Sequence, residues 1–265
     1  VTVPQVRRRK VVAGFSPLVM VTAYDYPSAK ICAEAGADIL LVGDSLAMVV
    51  LGLEDTLSVT IDDMVYHTKA VARAKPAALV VADMPWLSYH VSPEETVANA
   101  ARLIRAGAGA VKLEGGQNRL KMIQALVDAE IPVMGHIGLT PQSVKMLGGF
   151  RVQCQSEEAS EMLAATAQTL AKGGCFSLVL EGIPSQVAKQ TTEAVDIPTI
   201  GIGAGPDCDG QVLVFHDALG LQDELSPKFV RQYAALKDEA VAGLRRFAED
   251  VRQGSFPSQA ESYNQ

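Results

Sequence analysis

Short apolar runs that end on an acid recur along this chain, and they limit its fold more than any other feature. Residues 39–42, Ile-Leu-Leu-Val, stop at Gly43 and deliver Asp44. Residues 78–81 lead to Asp83 in the same way, and residues 110–113 lead to Glu114. Each run has the length of a strand, and two of the three have no polar residue within them, the pattern of strands covered on both faces.

Helical signals separate these runs. Strands are predicted over 18–23, 39–42, 78–82, 110–113, 132–135, 177–180 and 198–202. An eighth falls at 212–215, although no helix is legible before it between Gly205 and Gln211. Asp25 and Pro27 open a helix that Gly36 ends, and Thr60 caps one over 61–73. Ser92, Pro93 and Glu95 form a capping box for a helix running to about Gly107. Further helices are expected over 118–129, 156–172, 185–195 and 227–252, with a polar, mobile tail after about 254. The segments 34–42, 105–113 and 172–180 resemble one another as one helix-cap-strand cycle. Strands alternating with helices form a parallel sheet. With 265 residues, 48% of them hydrophobic, the expected fold is α/β: a closed (β/α)8 TIM barrel, in which residues 1–265 make a single domain.

Charge narrows the partners. The net charge of −7, with no basic block longer than residues 7–10, argues against nucleic acid or an anionic membrane. No apolar run approaches the ~18 residues of a membrane span, and residues 1–10 lack the apolar core of a signal peptide. A cytoplasmic protein is expected. Cys32, Cys154, Cys175 and Cys208 lack a CxxC spacing and read as reduced structural thiols.

In such barrels the reacting groups lie at the C-terminal strand ends, which here carry Asp44, Asp83, Glu114, His136 and Glu181. Asp44, Asp83 and Glu114 form a hard oxygen set suited to Mg²⁺; taken one at a time, each could equally cap the next helix. Lys112 shares a strand face with Glu114 and could bind a substrate carboxylate or form a salt bridge. His136 could donate to a substrate oxygen or serve the structure alone. Glu181 follows three apolar residues, which would raise its pKa toward proton transfer near neutrality; a helix N-terminal acid is the alternative. The glycines of Gly201-Ile-Gly-Ala-Gly fit a phosphate loop or close backbone packing equally well.

Several motifs carry a resemblance beyond these arguments: Thr22-Ala-Tyr-Asp-Tyr, Val42-Gly-Asp-Ser-Leu, Thr60-Ile-Asp-Asp-Met-Val-Tyr-His, Ala82-Asp-Met-Pro, Val111-Lys-Leu-Glu-Gly-Gly, Gly135-His-Ile-Gly-Leu-Thr-Pro-Gln-Ser and Leu180-Glu-Gly-Ile-Pro, with Gly201-Ile-Gly-Ala-Gly ahead of Cys208-Asp-Gly-Gln-Val-Leu. In this order, over about 17–256, the chain closely resembles the ketopantoate (3-methyl-2-oxobutanoate) hydroxymethyltransferase family. The resemblance implies transfer of a one-carbon unit from 5,10-methylenetetrahydrofolate, the co-substrate, to 3-methyl-2-oxobutanoate. The product is 2-dehydropantoate, on the route to pantothenate and coenzyme A, formed by way of a magnesium-stabilised enolate. It places metal ligands at Asp44, Asp83 and Glu114, oxo-acid contacts at Asp44, Ser45, Asp83 and Lys112, and the proton-transfer acid at Glu181, and it implies a homo-oligomer, typically a decamer. His136 is added here as a substrate contact. After Gly149-Phe-Arg-Val-Gln the chain departs from the family with Cys154 and Gln155, which bears on folate-side contacts, and its tail lacks the family's usual acidic and histidine-containing ending. Two alternatives stand beside this reading: a Mg²⁺-dependent carbon-carbon lyase acting on a 2-oxo acid or phosphoenolpyruvate-like substrate, and an oligomeric binding protein without catalysis.

Overall fold

Side chains alternate across a strand, so Ile39 and Leu41 face one way, as do Leu79 and Val81. In the computed structural model these four meet Leu18, Met20, Ala110, Met134, Val179, Ile200 and Val212 in one buried cluster. Eight strands contribute to it and close into a barrel in chain order. They are β1 (Leu18–Thr22), β2 (Ile39–Val42), β3 (Leu79–Asp83), β4 (Ala110–Glu114), β5 (Val133–Gly138), β6 (Ser177–Glu181), β7 (Thr199–Ile202) and β8 (Gly210–Leu213). All neighbours are parallel, and β8 returns to β1 with Met20 opposite Val212. The cluster fills the lumen, where each fully buried Leu, Ile, Val or Met contributes about 1.5–3 kcal/mol.

The structure describes residues 1–149, 151–222 and 227–263. Val1–Phe215 forms one compact unit that holds the whole barrel, and a second begins at His216. Among the described residues no helix is long and apolar enough to cross a membrane.

Helices follow the strands as the caps require. Thr60 accepts from the N–H of Asp63, which bonds back to Thr60, ahead of the helix Ile61–Ala72. Ser92 accepts from the Glu95 N–H at the start of Pro93–Arg105, but the reciprocal bond expected from the Glu95 side chain is not made. The segment expected as one helix over 118–129 opens as a 3-10 turn, Gln117–Arg119, and becomes α-helical at Leu120–Asp128. No helix precedes β8, and Gly210 starts that strand because a Cβ there would stand 2.7 Å from the Leu18 carbonyl oxygen. The predicted strand over 212–215 therefore lies two residues too late; the Phe215 N–H already turns onto Thr22 Oγ1 at 2.8 Å.

The N-terminal mouth of the barrel is sealed. Val6, on the short helix Val3–Arg7, joins the lumen cluster. Arg9 Nη1 meets Asp38 just before β2 at 3.1 Å, and Lys10 Nζ meets Asp209 just before β8 at 2.7 Å. Asp209 also accepts from the N–H groups of Val11 and Thr199 at 2.8 and 3.0 Å.

In the second unit the helix expected over 227–252 begins only at Leu236 and runs to Gln253. Backbone bonds around its start go elsewhere: the Tyr233 N–H, ahead of the helix, goes to Ala218 and the N–H of Lys237, in its first turn, to Gly220. Gly254, at φ +70°, ends the helix, and Ser258 caps a 3-10 turn at Gln259–Glu261 in the tail expected to be mobile. Residues 264 and 265 of that tail, and Phe150 of the motif at 149–153, lie outside the described residues.

Candidate active site

The lumen face of the strands, followed two residues toward the C-terminal end, changes from apolar to charged. Val81 gives way to Asp83, Ala110 to Lys112 and Glu114, Met134 to His136, and Val179 to Glu181. Asp83, Glu114 and Glu181 are the last residues of β3, β4 and β6, each strand running one residue further than its apolar composition suggests. Asp44 stands two residues beyond β2, where Gly43 has room for only a hydrogen: a Cβ would lie 2.7 Å from Ser45 Oγ.

These groups form a connected array. The Asp44 N–H donates to Asp83 Oδ2 at 3.1 Å, and Asp83 Oδ1 lies 2.9 Å from Lys112 Nζ. Lys112 Nζ is 3.3 Å from His136 Nδ1, which is also 3.3 Å from Glu114 Oε1, and His136 Nε2 faces Glu181 Oε2 at 3.1 Å. Ser45 joins as the chain neighbour of Asp44, and its hydroxyl turns to that of Tyr24 at 2.9 Å. Asp44, Ser45, Asp83, Lys112, Glu114, His136 and Glu181, the seven residues singled out in the sequence, are therefore linked at one mouth of the barrel.

Electrostatics divides the array. Burial, then the charges of Asp83 and Glu114, push the Asp44 carboxyl well above its usual range. Burial alone would raise Glu114 too, but the charges of His136 and Lys112 and the Gln142 N–H outweigh it and hold Glu114 low. Burial works against the charge on Lys112; Asp83, Glu114 and Asp44 overcome it and raise its pKa. Burial and Lys112 disfavour the charged form of His136, yet Glu114 and Glu181 lift it to about 9. The ring is thus an imidazolium at neutral pH, and Nδ1 donates to Glu114 rather than accepting from Lys112.

Two sequence expectations change here. Glu181 is not enclosed among apolar neighbours: its side chain is 17% exposed, against 4–5% for Asp83, Lys112 and Glu114, and its partner is His136. Asp44, Asp83 and Glu114 do not converge as one ligand set, and no group of three or more His, Cys, Asp or Glu among the described residues is placed to hold a metal ion. The cause is local, since Glu114 directs Oε1 to His136 and Oε2 to the Gln142 N–H at 3.0 Å.

The sequence reading missed Gln142 and Tyr89. Gln142 follows β5 in the 3-10 turn Pro141–Ser143, and its side-chain amide donates to Asp44 Oδ2 at 2.8 Å. The Tyr89 hydroxyl donates to Gln142 Oε1 at 2.5 Å and accepts from the Glu114 N–H at 3.2 Å. Neither titrates near neutrality, so a search for acids and bases passes over both; the available signal was a glutamine in the loop directly after His136. Close packing accounts for two glycines of the motif at 201–205: a Cβ on Gly201 would stand 2.9 Å from Cys208 Sγ and one on Gly205 would meet that of Ser185 at 2.4 Å. All four cysteines are unpaired, and burial raises the Cys32 and Cys175 thiols to about 11 and 12.

Residues 1–259 match the family model described as ketopantoate hydroxymethyltransferase. The chain belongs to the ketopantoate hydroxymethyltransferase family. Membership makes it a one-carbon transferase. It is 57% identical to the 3-methyl-2-oxobutanoate hydroxymethyltransferase of Moorella thermoacetica over 264 residues, 99% of this chain and 97% of the relative. It is 55% identical to the Pyrobaculum islandicum protein of the same name, over 95% of this chain and 97% of that one. Among solved structures, 2,3-dimethylmalate lyase, described as a member of the PEP mutase/isocitrate lyase superfamily, aligns with a TM-score of 0.62 over 99% of this chain and 92% of that one. At 20% identity that likeness concerns the barrel alone and gives the lyase alternative no support. Within the hydroxymethyltransferase family this chain's departure at Cys154 falls on a half-buried residue with φ +55°, in the loop whose Gln153 N–H bonds the Gly182 carbonyl at 2.8 Å.

Proposed function

We propose that this mouth of the barrel carries out the hydroxymethylation of 3-methyl-2-oxobutanoate to 2-dehydropantoate, with 5,10-methylenetetrahydrofolate as one-carbon donor. The observation that carries the reading is the continuous array from Asp44, which also meets the Asp83–Lys112 pair, through Gln142, Glu114 and His136 to Glu181. One end offers oxygen ligands beside a fixed ammonium, which suits an anionic oxo acid. The other end offers a partly exposed carboxylate backed by an imidazolium, which suits proton transfer.

The acid end fits a hard divalent cation. Asp44 is buried beside two other acids that oppose its ionisation, and Asp83, buried with it, turns Oδ2 to the Asp44 N–H and Oδ1 to the Lys112 ammonium, so that carboxylate oxygens of both are gathered at one point. Asp44 and Asp83 would hold Mg²⁺ directly, and Glu114, whose oxygens are engaged, through water. When bound, Mg²⁺ supplies Lewis acidity to the keto group of the oxo acid. Lys112 neutralises the substrate carboxylate, and Ser45, fixed by Tyr24, hydrogen-bonds the same end of the oxo acid. His136 holds its charge against Glu114 and keeps Glu181 oriented. Glu181 takes the proton as the C3–H bond breaks, leaving C3 nucleophilic. C3 then bonds to the methylene carbon of the folate-derived iminium, whose π electrons return to nitrogen; water next forms a C–O bond at that carbon as its C–N bond breaks, giving its hydroxyl to carbon and its proton to the departing tetrahydrofolate nitrogen. Base catalysis of this kind contributes about 10²–10⁴ in rate.

The same reading takes the protein as a cytoplasmic homo-oligomer, a decamer, built from single-domain protomers. Exchange of the C3 hydrogen of 3-methyl-2-oxobutanoate, followed by NMR in deuterated buffer, tests the chemistry. Exchange that needs magnesium, with product only when methylenetetrahydrofolate is present, is expected. Carbon-carbon cleavage or turnover without folate would restore the lyase.

A further inference from the structure

A single neutral residue, through its side chain and its backbone, ties together the ends of four consecutive strands. Gln142, 6% exposed, follows β5. Its Nε2 donates to Asp44 Oδ2 beyond β2 at 2.8 Å and to the Met84 carbonyl beyond β3 at 2.9 Å, and its backbone N–H donates to Glu114 Oε2 on β4 at 3.0 Å. A carbonyl only accepts, so the Met84 contact identifies Nε2 and fixes the amide orientation. Tyr89 locks that orientation from the other side. Its hydroxyl receives the Glu114 N–H at 3.2 Å and gives its own hydrogen to Gln142 Oε1 at 2.5 Å. Both hydrogens of the amide nitrogen and its oxygen are thereby engaged.

The consequence concerns three acids crowded at one mouth. A carboxylate drawn toward Gln142 Nε2 is withheld from Glu114, and a Glu114 oxygen held by the Gln142 backbone leaves the other oxygen for His136. We propose that Gln142, locked by Tyr89, is a positioning residue that sorts the three acids, holding Asp44 beside Asp83 for the oxo acid and its cation while turning Glu114 onto His136. This deepens the proposed function and rests on it. Because an amide carries no charge, it restrains Asp44 without adding to the excess of acid and does so at any pH. Its place in the loop after β5 also sets the acids only once that loop has packed onto the ends of β2, β3 and β4.

The test uses full-length Gln142→Met, which keeps the length and volume of the side chain without its polar atoms, and Tyr89→Phe, which keeps the ring and frees the amide to turn over. Calorimetry with 3-methyl-2-oxobutanoate, with and without magnesium chloride and with no folate present, is read beside kcat and a melting curve. Partners that orient metal-facing ligands contribute about 10–100-fold in affinity or activity. Gln142→Met is therefore expected to lose at least ~10-fold in magnesium-dependent oxo-acid affinity and in kcat while folded, and Tyr89→Phe to move both in the same direction by less. A residue that only supports the fold lowers the melting temperature alone. Folded Gln142→Met with wild-type affinity and kcat overturns the inference; should that variant not fold, wild-type values in Tyr89→Phe overturn it. Oxo-acid binding by the wild type that ignores magnesium overturns the cation reading itself, and that result needs no variant.

Discussion

Both mouths of this barrel bury charge, and they handle it in opposite ways. At the N-terminal mouth each cation meets one acid, Arg9 with Asp38 and the buried Lys10 with Asp209, and Asp209 also receives backbone N–H groups. At the C-terminal mouth four acids, Asp44, Asp83, Glu114 and Glu181, share two cations, Lys112 and His136. The first arrangement is complete within the chain. The second is complete only when something positive arrives, and its cost in stability is what a site for a cation and an anionic substrate requires. The difference teaches where to look for chemistry in a barrel: at the buried charges the chain itself leaves unbalanced.

The comparison breaks most visibly at Glu181. Glu181→Gln is expected to bind 3-methyl-2-oxobutanoate almost normally by calorimetry yet lose about 10²–10⁴ in kcat; unchanged turnover would leave the C-terminal mouth without its base. At the opposite mouth, Asp209→Ala strands Lys10 and is expected to cost about 3–5 kcal/mol in denaturant unfolding. Turnover should survive in whatever fraction stays folded, and a loss of kcat in that fraction would mean that the two mouths are not independent.

Smaller effects sharpen the contrast. Magnesium at about 100 times its Kd is expected to stabilise the protein by about 2.7 kcal/mol, and Asp44→Ala should abolish both this gain and magnesium-dependent oxo-acid binding. In metal-free protein Asp44→Asn is expected to raise the melting temperature, by about 2–4 °C for each kcal/mol of repulsion relieved. Unmoved melting would mean that the acids do not oppose one another. The smallest signal is in pH. His136 is raised in the folded protein from 6.5 to about 9, so the stability it contributes is whole below about pH 6.5 and is lost as pH rises through 9. The melting difference between wild type and His136→Gln should shrink over that window.

Much of this was legible because strand periodicity and barrel geometry are enforced by burial. Residues 39–42 could only be a covered strand, and the two-residue alternation that places Lys112 beside Glu114 in sequence places both in the lumen. Other features depend on partners far along the chain. The helix at 236 starts late because residues 233 and 237 bond back to Ala218 and Gly220. The Ser92 cap forms without its reciprocal bond, which a matching residue type permits but does not compel. Gln142 stayed invisible because its function lies in what it touches, not in its own chemistry, and the three acids read as one ligand set because sequence shows their order but not the amide that parts them.

The Lys10–Asp209 pair also bears on how the barrel comes into being. Its partners are 199 residues apart, and β1 acquires its second neighbour only from β8. A chain leaving the ribosome therefore presents an open sheet with an exposed edge until nearly the whole of the first unit has been made. Closure comes at the end of synthesis, and the long loop it joins makes it slow relative to the local strand-helix pairings that precede it. The seal across the N-terminal mouth thus marks completion: only a chain that has reached Asp209 can shut it.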